Sequence, residues 1–265
     1  GGVAVLGGRP TMTFDAGGLY ESPSGSPAGP FVAAAKNFDF ARAGTGVAFP
    51  RLWGEVYTGD AALALLTHHQ DVSAARANGT LVTAYYFAPA KRVAVGADGV
   101  ARAVWWDAND ALRGARLDAS LDDGGGRVLG VELSRGAWLE GAMTRRAGAG
   151  VVGVRVGGAS GAAAYDFVYD DATGAFAIGP NATGAQRTTV DRALALPDGE
   201  PVPWRMLLRA AWTGPTMSEF CVDGVWVLSC TLPSGALPDD GTLDVAALGE
   251  ATLAEAYTLT LPKQH

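Results

Sequence analysis

Beyond residue 116 the chain repeats one pattern: a short apolar run, then a cluster rich in Gly, Pro, Asp or Asn. The runs fall at 127–133, 138–143, 150–156, 163–169, 175–178, 187–194, 204–210, 217–222, 225–232, 242–248 and 256–261. Turn clusters at 122–126, 147–149, 157–161, 170–174, 197–201 and 233–240 separate them. An amphipathic helix would need apolar residues at i, i+3, i+4 and i+7 between caps, and no stretch provides them. Residues 107–114 come nearest and are too short. The 37 glycines have no fixed period and sit mostly between the runs, where turns need them. Many short strands at this spacing predict a sandwich or jelly roll.

The front of the chain is less regular. Residues 1–46 alternate short apolar pieces at 3–6, 11–14 and 18–20 with loop material, including SPSGSPAGP at 22–30 and KNFDF at 36–40. Pro50 argues against a central strand around it, Trp53, Glu55 and Tyr57 are expected on one strand face, and 61–70 reads as a strong strand. In 81–87, Val82, Ala84 and Tyr86 fall on one face and Leu81, Thr83, Tyr85 and Phe87 on the other. Apolar atoms on both sides predict an interior strand. Pro89, which has no N–H to donate, interrupts it; 93–95 resumes the ladder, Asp98-Gly99 offers a two-residue hairpin turn, and 101–106 returns.

Composition excludes several partners. A 265-residue chain with 48% apolar residues can fill a real core. Its net charge is −7 and its basic residues are dispersed, so neither nucleic acid nor an anionic membrane is an expected partner. The longest apolar runs fall far short of the roughly 20 residues that span a bilayer. The opening GGVAVLGGRP lacks the cationic flank and continuous apolar centre of a signal peptide, so a fragment or processed product is expected. The sequons at Asn78 and Asn181 are short patterns, and an extracellular or secretory location is the expectation. With Asp223-Gly224 as a two-residue turn, Cys221 lies opposite Trp226 and Cys230 opposite Met217. That separates the sulfurs by about 13 Å at ~3.3 Å per residue, so both thiols are expected free and buried.

Three segments carry a family resemblance: LYESPSGSPAGPF at 19–31, YYFAPAKRVAVGADGVARAVWWDANDALRG at 85–114, and VPWRMLLRAAWTGPTMSEFCVDGVWVLSCTLP at 202–233. They resemble, in turn, a blade strand leading into a Gly-Pro-Phe turn, the closing propeller strand with its linker, and a sandwich hairpin whose Glu-bearing strand turns over a short acidic-Gly loop. These are parts of glycoside hydrolase family 32, the invertase, levanase and fructan-acting enzymes. The resemblance implies an all-β fold, with residues 1–115 an incomplete β-propeller portion and 116–265 a concanavalin-like β-sandwich. At roughly 40–45 residues per blade, the front is too short to close a five-bladed ring. Family chemistry rests on an Asp in W-M-N-D-P, an Asp in R-D-P and a Glu in an E-C pair. This chain has no Asp-Pro dipeptide, and its nearest approach to Glu-Cys is Glu219-Phe220-Cys221. No catalytic residue is therefore assigned. The implied function is the C-terminal portion of a family 32-like hydrolase of fructosyl or related bonds. The alternatives are a non-catalytic, lectin-like carbohydrate-binding protein and a structural partner whose propeller an upstream segment or a second chain completes.

His68-His69 point to opposite strand faces and cannot chelate one ion, and no metal or cofactor is expected. Glu55, Asp60, Glu132 and Glu219 could supply glycosidic carboxyls, but Glu219, expected opposite Leu228, reads as a sheet residue. GGASGA at 157–162 lacks the second glycine of G-x-S-x-G, and 124–126 reads as a loop. Sugars stack their C–H faces on aromatic rings while their hydroxyls find polar neighbours. The expected carbohydrate contacts are Trp53 with Arg51 and Glu55, and Trp106 with Asp107.

Overall fold

A computed structural model describes residues 2–13, 18–35, 47–60, 62–122, 125–157, 164–180, 188–190, 194–237 and 241–260. The KNFDF run, the GGASGA loop after Gly157 and the Asn181 sequon lie outside them, as do parts of other expected segments, among them the 187–194 strand, the 122–126 and 233–240 turns and the ends of the 61–70, 163–169 and 256–261 runs.

The front strands are β1 (Val3–Leu6), β2 (Arg9–Thr13), β3 (Leu19–Glu21), β4 (Val32–Ala33), β5 (Val47–Trp53), β6 (Leu65–Asp71), β7 (Ala74–Ala75), β8 (Leu81–Val82), β9 (Tyr85–Phe87), β10 (Lys91–Val95) and β11 (Ala101–Trp105). A four-residue helix α1 (Glu55–Thr58) follows β5, and a 3-10 turn (Asp107–Leu112) follows β11. The back comprises β12 (Arg113–Arg116), β13 (Asp118–Asp122), β14 (Gly125–Val131), β15 (Ala137–Thr144), β16 (Val151–Gly157), β17 (Tyr165–Asp170), β18 (Ala175–Pro180) and β19 (Thr188–Val190). It ends with β20 (Pro201–Ala210), β21 (Thr216–Val222), β22 (Val225–Leu232), β23 (Gly241–Leu248) and β24 (Glu250–Leu259). The protein is all-β, as its turn spacing predicts.

Strands β1 to β4 form an antiparallel meander of blade form. The back is a two-sheet sandwich. One layer runs β13-β14-β23-β16-β17-β18-β19; the other contains β12-β24-β15-β20-β21-β22 and continues into β11-β10-β6-β5, with β9 also on β6. Val154, Phe167, Phe176 and Ile178 of the first layer meet Leu139, Met206, Phe220 and Val222 of the second in one core. Fully burying each such side chain is worth about 1.5–3 kcal/mol. A second core joins front to back, with Ala4, Leu19, Leu52, Leu66 and Val93 packed with Trp138, Leu207 and Trp226.

One turn adds backbone contacts to the junction. Asp223 (φ 50°) and Gly224 (φ 71°) both have positive φ, the requirement of a type I′ hairpin. The turn presents its backbone to β11: Val104 pairs with Val225, and Trp105 N–H donates to Gly224 O at 2.6 Å.

Several expectations require correction. The 81–87 segment is not an interior strand; it breaks into β8 and β9, and among the described residues β9 pairs with β6 alone, leaving Tyr85 and Phe87 exposed. Alternation shows two apolar faces but not whether both are covered. The β10–β11 loop is not a two-residue turn: Gly99 N–H donates to Gly96 O, Gly96 N–H to Val100 O, and Gly99 takes φ 74°, a three-residue connection. Glu55 leaves the strand that carries Trp53 and starts α1, because the chain turns at Gly54, where a Cβ would lie 2.8 Å from the Ala4 Cα. The 61–70 strand begins only at Leu65. Cys221 does pair with Trp226, but a bulge then shifts the register, so Cys230 faces Ser218 and Glu219 faces Ser229. Neither cysteine is in a disulfide, and both are buried.

Candidate functional site

A cleft of ≈ 690 Å³ opens where the β10–β11 hairpin and the 3-10 turn meet β15, β20 and β24. Its walls carry the carboxylates of Asp107, Asp110, Glu140, Asp223 and Glu255, the guanidinium groups of Arg92 and Arg205, and Trp105 and Trp204. Strand pairing sets its centre. Glu140 of β15 lies directly opposite Arg205 of β20, so Arg205 Nε donates to Glu140 Oε1 at 3.0 Å. The same oxygen accepts from Arg113 Nη2 and from Trp138 Nε1, each at 2.7 Å.

Aromatic rings hold the guanidinium from other sides. The Arg205 Cζ lies 4.5 Å from the centre of Trp105 and 4.9 Å from that of Trp138, and the two indoles meet edge to face at 5.1 Å. Each cation–π contact of this kind is worth about 0.5–2 kcal/mol. Trp105 Nε1 donates to Asp110 Oδ1 at 2.9 Å, and that oxygen lies 3.9 Å from Arg205 Nη1. The result is a pre-set lattice of fixed carboxylates, a clamped cation and indole edges. Such a surface can take the hydroxyls of a polyol without reorganising. Cys221 also lines the cleft, but burial pushes its thiol up to about 12, so it is not a nucleophile at neutral pH.

Of the sequence-predicted contacts, Asp107 lines this cleft and Trp106 does not; the indoles at the cleft are its neighbour Trp105 and Trp204. Arg51 and Trp53 share one face of β5, with Trp53 Nε1 donating to Thr67 Oγ1 at 2.7 Å. Glu55 is exposed on α1, and none of these three reaches the cleft. Sequence patterning alone does not single out Arg205 and Glu140. Their signal was a charged residue placed in the middle of an otherwise apolar run, AWLEGAM and PWRMLL.

The second core holds another polar group. Glu219 of β21 accepts from Lys91 Nζ at 2.5 Å, lies 2.9 Å from His68 Nε2 and accepts from Ser229 Oγ at 2.7 Å. His68 stacks on Trp226 at 4.7 Å, and Lys91 Nζ sits over the same ring at 4.7 Å. Trp226 Nε1 donates to Ser229 Oγ, which the bulge places opposite Glu219. Burial, reinforced by Lys91, lowers His68 to about 4 against the pull of Glu219. Burial alone would raise Glu219, but Lys91 and His68 outweigh it and hold the carboxyl at about 2. Among the described residues no group of His, Cys, Asp and Glu is arranged to hold a metal ion. Among the described residues no helix is long and apolar enough to cross a membrane.

Comparison with known proteins then bears on the architecture. No family model matches the sequence, and no curated protein matches it. Among solved structures, 97% of the chain superposes on 53% of the Bombyx mori GH32 beta-fructofuranosidase, with a TM-score of 0.59 and 15% identity. The same enzyme in a mutant form in complex with sucrose gives the same values. An exo-inulinase from Aspergillus awamori matches 92% of the chain over 50% of its own length, with a TM-score of 0.55 and 11% identity. The fold is GH32-like. The chain spans about half the length of these structures. Within the GH32-like fold, the cleft lies between the β10–β11 hairpin of the front and the sandwich, and the buried Lys91–Glu219–His68 group ties the same two parts together.

Proposed function

We propose that the chain is the C-terminal portion of a GH32-like glycoside hydrolase acting on fructosyl or related glycosidic bonds. In this reading it works together with a portion that supplies the catalytic carboxylates. Its own part is to seat saccharide in the cleft between hairpin and sandwich. The observation that carries this is the clamped Arg205, held by Glu140, Trp105 and Trp138 beside Asp107 and Asp110. A GH32-like fold over 97% of the chain supports the class of bond. Sucrose is the molecule named with one of the similar structures.

Titrating the chain with a neutral fructo-oligosaccharide by calorimetry tests it. Saturable binding is expected, with Asp107→Ala weakening it at least five-fold and leaving the melting temperature unchanged, since Asp107 is exposed. The chain by itself is expected to show no hydrolysis of sucrose or inulin. No binding at millimolar sugar, or turnover by the 265 residues alone, would overturn the assignment. The lack of any Asp-Pro dipeptide favours a second reading, a lectin-like protein without catalysis. That reading predicts the same binding, and a longer gene product that still hydrolyses nothing.

A further inference from the structure

The sequon Asn78-Gly79-Thr80 falls on a part of the chain that neither the cores nor the cleft absorb. None of residues 74–82 belongs to a buried apolar cluster or lines the cleft. Strands β7 and β8 pair as Ala74–Val82 and Ala75–Leu81 and form a two-stranded sheet of their own. Beyond them the chain closes a short turn. Arg76 N–H donates to Thr80 O at 2.9 Å and Gly79 N–H to Arg76 O at 2.8 Å, with Gly79 at φ 80°. Residues 75–81 are all exposed, and a Cβ added to Gly79 would meet nothing within 4 Å.

The base of this hairpin is fixed although its tip is not packed. Val72 N–H donates to Ala84 O at 2.9 Å, Ala84 N–H to Ser73 Oγ at 3.1 Å, and Thr213 Oγ1 of the β20–β21 loop to Val72 O at 2.6 Å. Two strands alone are marginal in water, so these bonds decide where the tip stands. The sequon is therefore carried outward on an anchored stem.

The Asn78 side chain is arranged to match. Its Oδ1 accepts Thr80 N–H at 3.0 Å, which ties the amide to the residue two positions on. Among the described residues its Nδ2 makes no hydrogen bond, and neither does the Thr80 hydroxyl. Asn109 shows the contrast: it is buried, and its Nδ2 is committed to Ala90 O at 2.6 Å. An asparagine that serves the fold uses its amide nitrogen inside it, whereas Asn78 leaves that atom to solvent.

We propose that Asn78 is the acceptor of an N-linked glycan, donated by a lipid-diphosphate-linked oligosaccharide. Transfer needs a hydroxyl residue two positions after the asparagine and an accessible surface turn, and both are present. In the transfer the bond from Asn78 Nδ2 to C1 of the first sugar forms. The bond from C1 to the diphosphate oxygen breaks, one amide proton leaves, and the diphosphate departs with the electron pair. The glycan stands at the end of β7 and β8, whose unpaired edges otherwise invite pairing with another chain. It leaves the cleft uncovered, so the assignment is independent of what the cleft binds.

Peptide mapping of the protein isolated from its source tests it. Digestion with a glycan-releasing amidase in heavy-oxygen water is expected to convert Asn78 to labelled Asp in most molecules. Thr80→Ala, made in the same cells, keeps the backbone N–H that Asn78 Oδ1 accepts and is expected to abolish the label, and Thr80→Ser is expected to restore it. Recovery of Asn78 as unmodified Asn overturns the proposal. Label that appears without the amidase, or that persists in Thr80→Ala, overturns it too. Either result marks spontaneous deamidation, in which the Gly79 nitrogen attacks the Asn78 amide carbon and ammonia leaves. Asn181 is read on a separate peptide and does not enter the result.

Discussion

Lys91, Glu219 and His68 come from three strands, and Glu219 is 151 residues from His68 in sequence, yet they share one buried site. Ionised groups out of water are stable only when paired and hydrogen-bonded, and here Glu219 receives Lys91, His68 and Ser229. Replacing Glu219 with Gln keeps the shape but leaves the Lys91 ammonium uncompensated. The expected loss is about 3–5 kcal/mol in urea unfolding, the usual cost of breaking one side of a buried pair. The pH dependence follows from the sign of each shift. Burial lowers His68 from 6.5 to about 4, so between those values the unfolded chain binds a proton that the folded chain refuses. Stability therefore falls as pH drops from about 6.5 towards 4, by up to about 1.4 kcal/mol per pH unit. Glu219, held at about 2 instead of 4.5, adds a second loss below pH 4.5. Melting temperatures measured across this range are expected to show both steps, with His68→Asn shrinking the upper one and leaving the part that His69, also lowered by burial, contributes. A flat profile between pH 6.5 and 4 would show that His68 is not held neutral.

Strand elements were legible where the chain dictates them locally. The β21–β22 hairpin and its Asp223-Gly224 turn are written in a two-residue signal between apolar runs, and the structure has them. The register beyond the turn was not, because the bulge that brings Ser229 opposite Glu219 inserts one residue without any turn signal. Two glycines separate conformational from steric need. At Gly224, φ is 71° and nothing lies within 4 Å of a Cβ, so Gly224→Ala should cost only the left-handed penalty, about 1–2 kcal/mol. At Gly141, a Cβ would lie 1.8 Å from Thr252 O and 2.7 Å from the Trp204 ring. Gly141→Ala must therefore push β15 from β24, and a loss beyond the ~1–3 kcal/mol of ordinary overpacking is expected. Thermal denaturation of the two variants side by side checks the ranking, and equal losses would contradict it.

At the scale of the whole molecule, front and back do not pack as separate bodies. One sheet runs from β12 through the sandwich to β5, and the second core mixes Leu52, Leu66 and Val93 with Trp138, Leu207 and Trp226. Opening one part exposes the core of the other. A single cooperative transition is therefore expected, with tryptophan fluorescence and far-ultraviolet circular dichroism coinciding in denaturant. Two resolved transitions, one carrying the Trp226 signal and one not, would mean that the shared core contributes little. The same coupling predicts that a saccharide bound in the cleft, which touches both parts, raises the midpoint of that one transition.

The sequence by itself determined what is local: strand after strand at a period of two, turns where Gly and Asp permit positive φ, two thiols too far apart to join, and no Asp-Pro motif. The resemblance of three segments to family 32 enzymes named the architecture. Tertiary structure decided which faces are covered and who stands opposite whom. It put Trp105 rather than Trp106 at the cleft, left Tyr85 and Phe87 exposed on an edge, and turned the strand residue Glu219 into the partner of Lys91 and His68. The reason is physical: alternation along a strand is set by the backbone of that strand, whereas the cover over each face comes from polypeptide far away in sequence.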